Sequence, residues 1–158
     1  LTSVIPEELL TLAPESGEWS AIQCLQHLLD TDQKVFPIRL RAFLAGQNFP
    51  GFNPDTDGQK PGSRIEPSAL SASFTSVRNT NLKLLAGIKP SDLMRTALHA
   101  ELGKVTLAEM LNEWIGHDLM HTVQAERAMM QPFVVGSGPW RLYFKDHDVA
   151  AHPAAKQE

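Results

Sequence analysis

Gly103-Lys-Val-Thr-Leu-Ala-Glu-Met-Leu-Asn-Glu-Trp-Ile-Gly-His117-Asp-Leu-Met-His121-Thr-Val-Gln124 is the stretch that decides the fold. Thr106-Leu-Ala-Glu109 is a capping box, in which a threonine and a glutamate three residues on satisfy each other's end of a first helical turn. The pattern after it stays helical to about Met130 and is expected to stop before Pro132. At about 100° per residue, Leu107, Met110, Leu111, Trp114, Ala125 and Ala128 form one apolar stripe, and His117, Asp118 and His121 fall inside it. Polar side chains on a core-facing surface are costly unless they are hydrogen-bonded or bind a metal. His-x-x-x-His sets two imidazoles one turn apart on one face, where both can reach a single divalent transition-metal ion. The spacing equally suits two core histidines satisfied by their neighbours, and taken alone it does not choose between them.

Working towards the N-terminus, Ser20-Ala-Ile-Gln23 is another capping box. It opens a long helix in which Ile22, Leu25, Leu29, Phe36, Leu40 and Phe43 recur at helical spacing, with Gly46 as a stop. Pro37 lies inside this pattern and should kink it, because it lacks an N–H and its ring crowds the preceding turn. Residues 47–67 are dense in turn-forming residues and carry no period, so they read as a long loop, either covering a site or merely connecting. Leu70, Phe74, Val77, Leu84 and Leu85 mark a further helix over residues 68–86, closed by Gly87 and Pro90. Residues 91–105 support a turn of helix and a loop, no more. Gly136-Ser-Gly-Pro-Trp140 rules out regular helix after the last long one and is expected to pack aromatics onto the helices.

Bulk properties bound the function. At 158 residues the chain has the size of one domain, 42% hydrophobic and 20% charged, with no apolar run long enough to suggest a membrane span. Fourteen basic against 18 acidic residues give a net charge of −4, with no dense Lys/Arg block to meet a phosphate backbone, so neither nucleic acid nor membrane is an expected partner. One cysteine, Cys24, excludes an intrachain disulfide and fits a reducing compartment, with cytoplasm as the default.

Trp19-Ser-Ala-Ile-Gln-Cys-Leu-Gln-His27-Leu-Leu-Asp30 resembles the second-helix motif of DinB-like (damage-inducible) proteins. The stretch from Gly103 to Gln124 resembles that family's final-helix motif, and Gly138-Pro-Trp140 a common ending. The resemblance implies an all-α, antiparallel four-helix bundle over residues 1–145 with a flexible tail over 146–158. It also implies a metal site of His27, His117 and His121. Such chains usually begin with a long first helix, whereas residues 5–12 leave room for barely two turns, so further sequence upstream of Leu1 is expected. By helical angle His27 lies nearly opposite the main apolar stripe of its own helix, beside Cys24, Thr31 and Ile38. It can join the other two only if that helix buries two faces.

Three neutral imidazoles leave the ion's charge uncompensated and leave positions open for water or substrate, which is a catalytic arrangement. Zinc or nickel is the first expectation for the ion, with iron or manganese also suited. The resemblance implies a metal-dependent transferase acting with a low-molecular-weight thiol, or a metal-dependent hydrolase, on a small-molecule substrate and in a homodimer. The alternative is a non-catalytic metal- or ligand-binding stress-response protein. Asp118 can orient an imidazole or accept a proton, or serve only as a structural acceptor. Cys24 offers a fourth ligand, a reactive thiol or a small buried hydrophobe. His99, His147 and His152 read as surface residues.

Overall fold

The computed structural model describes residues 4–49, 51–52 and 66–151. Among the described residues five α-helices run in the order α1 (Glu7–Thr11), α2 (Ala21–Lys34), α3 (Phe36–Ala45), α4 (Pro67–Leu85) and α5 (Leu107–Gly136). Between α4 and α5 lie a 3-10 turn (Pro90–Met94) and the strands β1 (Thr96–His99) and β2 (Gly103–Thr106); a second 3-10 segment, Gly138–His147, follows α5.

Both capping boxes form. The Ser20 N–H donates to Gln23 Oε1 at 2.8 Å, and the Thr106 N–H donates to Glu109 Oε2 at 2.7 Å while the Glu109 N–H returns to Thr106 Oγ1. The kink expected at Pro37 is a break of one residue: Val35 separates α2 from α3, and the proline sits in the first turn of α3, where its missing N–H costs nothing. Gly46 ends α3 in the left-handed region at φ 67°, which a side chain would resist.

The last long helix does not stop before Pro132 but runs through it to Gly136. Gln131, buried just ahead of the proline, explains how the segment is held. Its Nε2 donates to the carbonyls of Arg127 and His147, and its Oε1 accepts from the Val149 N–H. Asp148 and Val149 are accordingly buried, within the stretch expected as tail, and residues 152–158 lie outside the described ones. The aromatics expected to pack onto the helices do not: Trp140 is 65% and Tyr143 82% exposed. Residues 91–105 hold an antiparallel hairpin that the sequence did not suggest, in register Ala97 with Val105. Strands of four residues are too short to display an alternation.

α2 is the central element, packed against α4 on one side and α5 on another, while α3 packs on α5 and β1. The core gathers Phe36, Leu40 and Phe43 of α3 with Phe49, Ala97, Leu107, Met110 and Trp114. Phe36 lies flat on Trp114, with ring centroids 4.7 Å apart and planes within 8°. The apolar face of α3 therefore fixes the first half of α5 and the hairpin together. Phe43 has no exposure at all. Replacing it by alanine leaves a cavity lined by those neighbours and should cost about 3–5 kcal/mol, read as a lowered denaturant midpoint with an unchanged slope.

Candidate metal centre

The three histidines come together. α5 presents His117 and His121 one turn apart, and α2 brings His27 opposite them, so that one ligand nitrogen from each ring lies within 4.8 Å of the others. His27 Nε2 and His117 Nε2 are 3.0 Å apart. Ring centroids stand 4.5 Å apart for His27 and His121 and 4.6 Å for His117 and His121, both edge to face. Three nitrogens at roughly 2.1 Å from one tetrahedral ion would be about 3.4 Å apart, so small rotations of the rings suffice.

Several neighbours set how the imidazoles point. His121 Nδ1 is 2.8 Å from Gln124 Oε1, which can only accept, so this contact places the proton on Nδ1 and leaves Nε2 its lone pair. Trp19 stacks on His121 at 5.6 Å and also flanks His27 at 5.0 Å. Phe36 abuts His117 edge-on at 5.4 Å. His117 Nδ1 is buried with no hydrogen-bond partner among the described residues. Among the described residues its two nitrogens thus have one partner between them, His27 Nε2, and one of that pair must carry the proton for the contact to be a hydrogen bond. A donor set of this kind fits a cation better than it fits itself.

Charge points the same way. Burial, reinforced by the positive charge His121 would carry, pushes His27 down to about 4. Burial and the neighbouring imidazoles push His117 down to about 3. Burial lowers His121 as well, opposed by its bond to Gln124 and by the charge of Asp118. Near neutral pH the three rings are therefore neutral bases, as ligands must be.

Asp118 faces inward between the two α5 histidines but is held elsewhere. Its Oδ1 accepts from Arg78 Nη2 at 3.1 Å and its Oδ2 from Arg78 Nη1. Arg78, on α4, also grips Asp32 of α2, through Nε at 2.5 Å and Nη2 at 2.9 Å. Asp32 Oδ1 accepts further from Trp114 Nε1 at 3.1 Å, and its backbone carbonyl from Asn81 Nδ2 at 2.8 Å. Sequence reading passed over Arg78 and Asp32, and gave no role to Trp19 and Gln124 within the motifs it quoted. The signal available was a charged residue at helical spacing inside a buried face, Asp32 on α2, which demands a cation somewhere in the fold.

Cys24 is buried, 1% exposed, and lies outside the cluster of ligand atoms found among the described residues. Burial drives its thiol up to about 12, so it stays protonated and behaves as a small apolar group. His99 closes the hairpin, its Nδ1 accepting from the Glu101 N–H at 3.2 Å. The His147 carbonyl is the acceptor for Gln131 described above, and His152 lies outside the described residues.

A cavity of about 310 Å³ opens one turn along α5 from His117, lined by Arg39, Phe49, Phe52, His99, Met110 and Glu113 among others. Phe49 and Phe52 belong to the stretch read as a long loop, so the described part of that loop borders this open space, whose lining includes none of the three histidines. Burial raises Glu113 and lowers Arg39, each offset in part by the other across 4.0 Å.

The lowered histidines have a measurable consequence. The unfolded chain takes up protons from about pH 6.5 downward, while folded His27 and His117 resist them until pH 4 or below. Stability is thus fully present above about pH 6.5 and falls as the pH drops through that window. Thermal unfolding of chelator-treated protein should show a Tm declining from about pH 7 to about pH 5. A His27→Gln/His117→Gln variant should show a flatter profile; an equal slope in both would count against neutral, desolvated imidazoles.

Among the described residues no helix is long and apolar enough to cross a membrane. No curated protein matches the chain. A family model described as the DinB superfamily matches residues 1–125, which takes in α1 to α4, the hairpin and all three histidines. With most of its length covered by that match, and with the helical fold in place, the chain belongs to the DinB superfamily.

Proposed function

We propose that this protein is a metal-dependent enzyme, a transferase acting with a low-molecular-weight thiol or a hydrolase, whose ion is held by His27, His117 and His121. One observation carries the reading: three neutral, pre-oriented imidazoles from two helices converge with no thiolate or carboxylate among the ligand atoms that meet there. A structural site would be closed by four protein ligands, whereas this set leaves the ion both charge and room. When bound, zinc or nickel supplies a Lewis acid that makes a thiol or a water a nucleophile near neutral pH.

The chain's own groups account for the rest. Gln124 and Trp19 hold His121, and Phe36 backs His117, so the lone pairs are aimed before any ion arrives. Of the two carboxylates on Arg78, Asp32 is fully buried while the Asp118 side chain is 23% exposed, so Asp118 is the one that can exchange a proton with a substrate or with solvent. The cavity beside Glu113 offers space for the organic part of a substrate of modest size, with apolar walls and a few convergent polar groups.

Assays with small thiols and electrophiles, and separately with esters and amides, in metal-free and metal-restored protein, test the reading. Activity should disappear with the metal and return with zinc or nickel. His121→Ala should lose both occupancy and turnover. Asp118→Asn, whose amide oxygen can still accept from Arg78, should keep most of the metal and lose about a hundredfold in rate. Full activity in metal-free protein, or an Asp118→Asn variant equal to wild type in both respects, would overturn it.

The same reading includes a homodimer. Ile115, Leu119 and Val123 stand four residues apart on α5 and are all more than half exposed, an apolar stripe facing away from the core. Sedimentation at micromolar concentration should give a dimer, and Leu119→Glu a folded monomer; a monomeric wild type would refute the assembly.

A further inference from the structure

We propose that Arg78 is the positioning residue of the metal centre, holding α2 and α5 at the register in which His27 meets His117 and His121. The proposal rests on the reading that those histidines bind an ion.

The spacing of His117 and His121 is built into one helix and needs no outside support. The third ligand has no such guarantee, because His27 stands on a different helix. A shift of α2 along α5 by a single residue is about 1.5 Å, enough to take an imidazole out of bonding range of an ion whose ligands sit at about 2.0–2.1 Å. Something must therefore fix the relative height of these two helices. Apolar packing between them is compatible with small slips.

Arg78 supplies a fixed length. One planar guanidinium takes Asp32 of α2 by two N–H groups and Asp118 of α5 by two. Asp32 follows His27 by five residues and Asp118 lies between the other two ligands, so both anchor points are on the ligand-bearing turns or close to them. The fork itself cannot swing. Its carbon stands 4.9 Å over the Phe74 ring and 5.7 Å from the Trp114 ring, and Trp114 in turn donates to the same Asp32 oxygen that Arg78 Nη2 uses. Paired carboxylates outweigh burial and hold the guanidinium above its ordinary range, so it is charged at every accessible pH. α4 contributes none of the three ligands, yet through Arg78 it sets the distance between the helices that do.

Two other accounts of Arg78 make different forecasts. If it mattered only through charge, removing a cation close to a cation site would tighten metal binding. If it served only general stability, metal affinity would follow the melting temperature whatever the site of the change. A positioning role forecasts weaker binding even when the positive charge is removed, and no such loss from a destabilising change far away.

The experiment uses the full chain and four proteins: wild type, Arg78→Lys, Arg78→Met and Val134→Ala. Val134 is buried on α5 well beyond His121, so its truncation destabilises without touching the clamp. Zinc affinity is measured by competition with a chelator, the ligand geometry by the visible spectrum of the cobalt(II) form, and Tm alongside. Lysine keeps the charge but cannot span both carboxylates bidentately. Arg78→Lys should weaken zinc binding by about tenfold or more and alter the cobalt spectrum. Arg78→Met should weaken it too, and Val134→Ala should lower Tm with wild-type affinity. Wild-type affinity and spectrum in Arg78→Lys, tighter binding in Arg78→Met, or a parallel loss in Val134→Ala each overturns the proposal while leaving the metal site standing. Should Arg78→Met fail to fold, the lysine variant decides alone. A wild type that binds neither zinc nor cobalt overturns the metal reading, and this inference with it.

Discussion

A carboxylate with no exposure to water sits in the last turn of the central helix. Asp32 cannot be carried there uncompensated, since desolvating an unpaired charge costs several kcal/mol. Its partners come from two directions: Arg78 from α4, and the Trp114 indole N–H from α5. The chain thus assembles around a charge that must be met from both sides. Replacing the set by hydrocarbon could be as stable, but hydrocarbon would not specify where along α5 the helix α2 must stop. Register is what the charged set adds.

That constraint and the triad share their geometry. One guanidinium between two carboxylates leaves one net negative charge beside three neutral imidazoles. A divalent ion there would find lone pairs without competition from protons, and a partial counter-charge that does not occupy a coordination position. Trp19, Phe36 and Trp114 wall the imidazoles and the clamp with aromatic rings. They lower the local polarity and keep the histidines neutral, and by the same means they make the anionic partners of Arg78 harder to lose.

The final helix was legible because its polar residues interrupt an otherwise apolar stripe: Leu107, Met110, Trp114 and Ala128 are buried as expected, and His121 with them. α2 was harder. Its periodicity in Ile22, Leu25 and Leu29 pointed to one face; Leu29 is buried as expected, but Ile22 and Leu25 are only half-buried, while Cys24, Leu28, Thr31 and Asp32 are buried as well. A helix packed on two sides has no single stripe, and where one of those sides is polar the hydrophobic period points to the other. His27 lies on that polar side, which is why spacing would not have chosen it and the motif around it did. Arg78 was invisible for a related reason. On α4 it looks like any exposed arginine among small polar residues, and only the three-dimensional meeting with Asp32 and Asp118 gives it a role. The hairpin and the passage of α5 through Pro132 were unreadable because each depends on distant groups, Ala97 packed in the core and Gln131 binding the chain beyond.

The hairpin matters more than its two strands of four residues suggest. Because β2 runs directly into the capping box of α5, the position of the hairpin determines where α5 begins, and Ala97 is what seats it against α3. α3 is in turn joined to α2 through Val35 alone, so a rotation of α3 would be felt at Phe36, the residue that backs His117 and stacks on Trp114. The open space bordered by Arg39, His99 and Glu113 lies within this linkage, between α3, the hairpin and α5. A molecule bound there would press on the element that backs His117 on one side and on the turn preceding His117 on the other. The walls of the cavity thus belong in part to the same two helices, α3 and α5, that carry Phe36 and His117, so one packed unit carries both features.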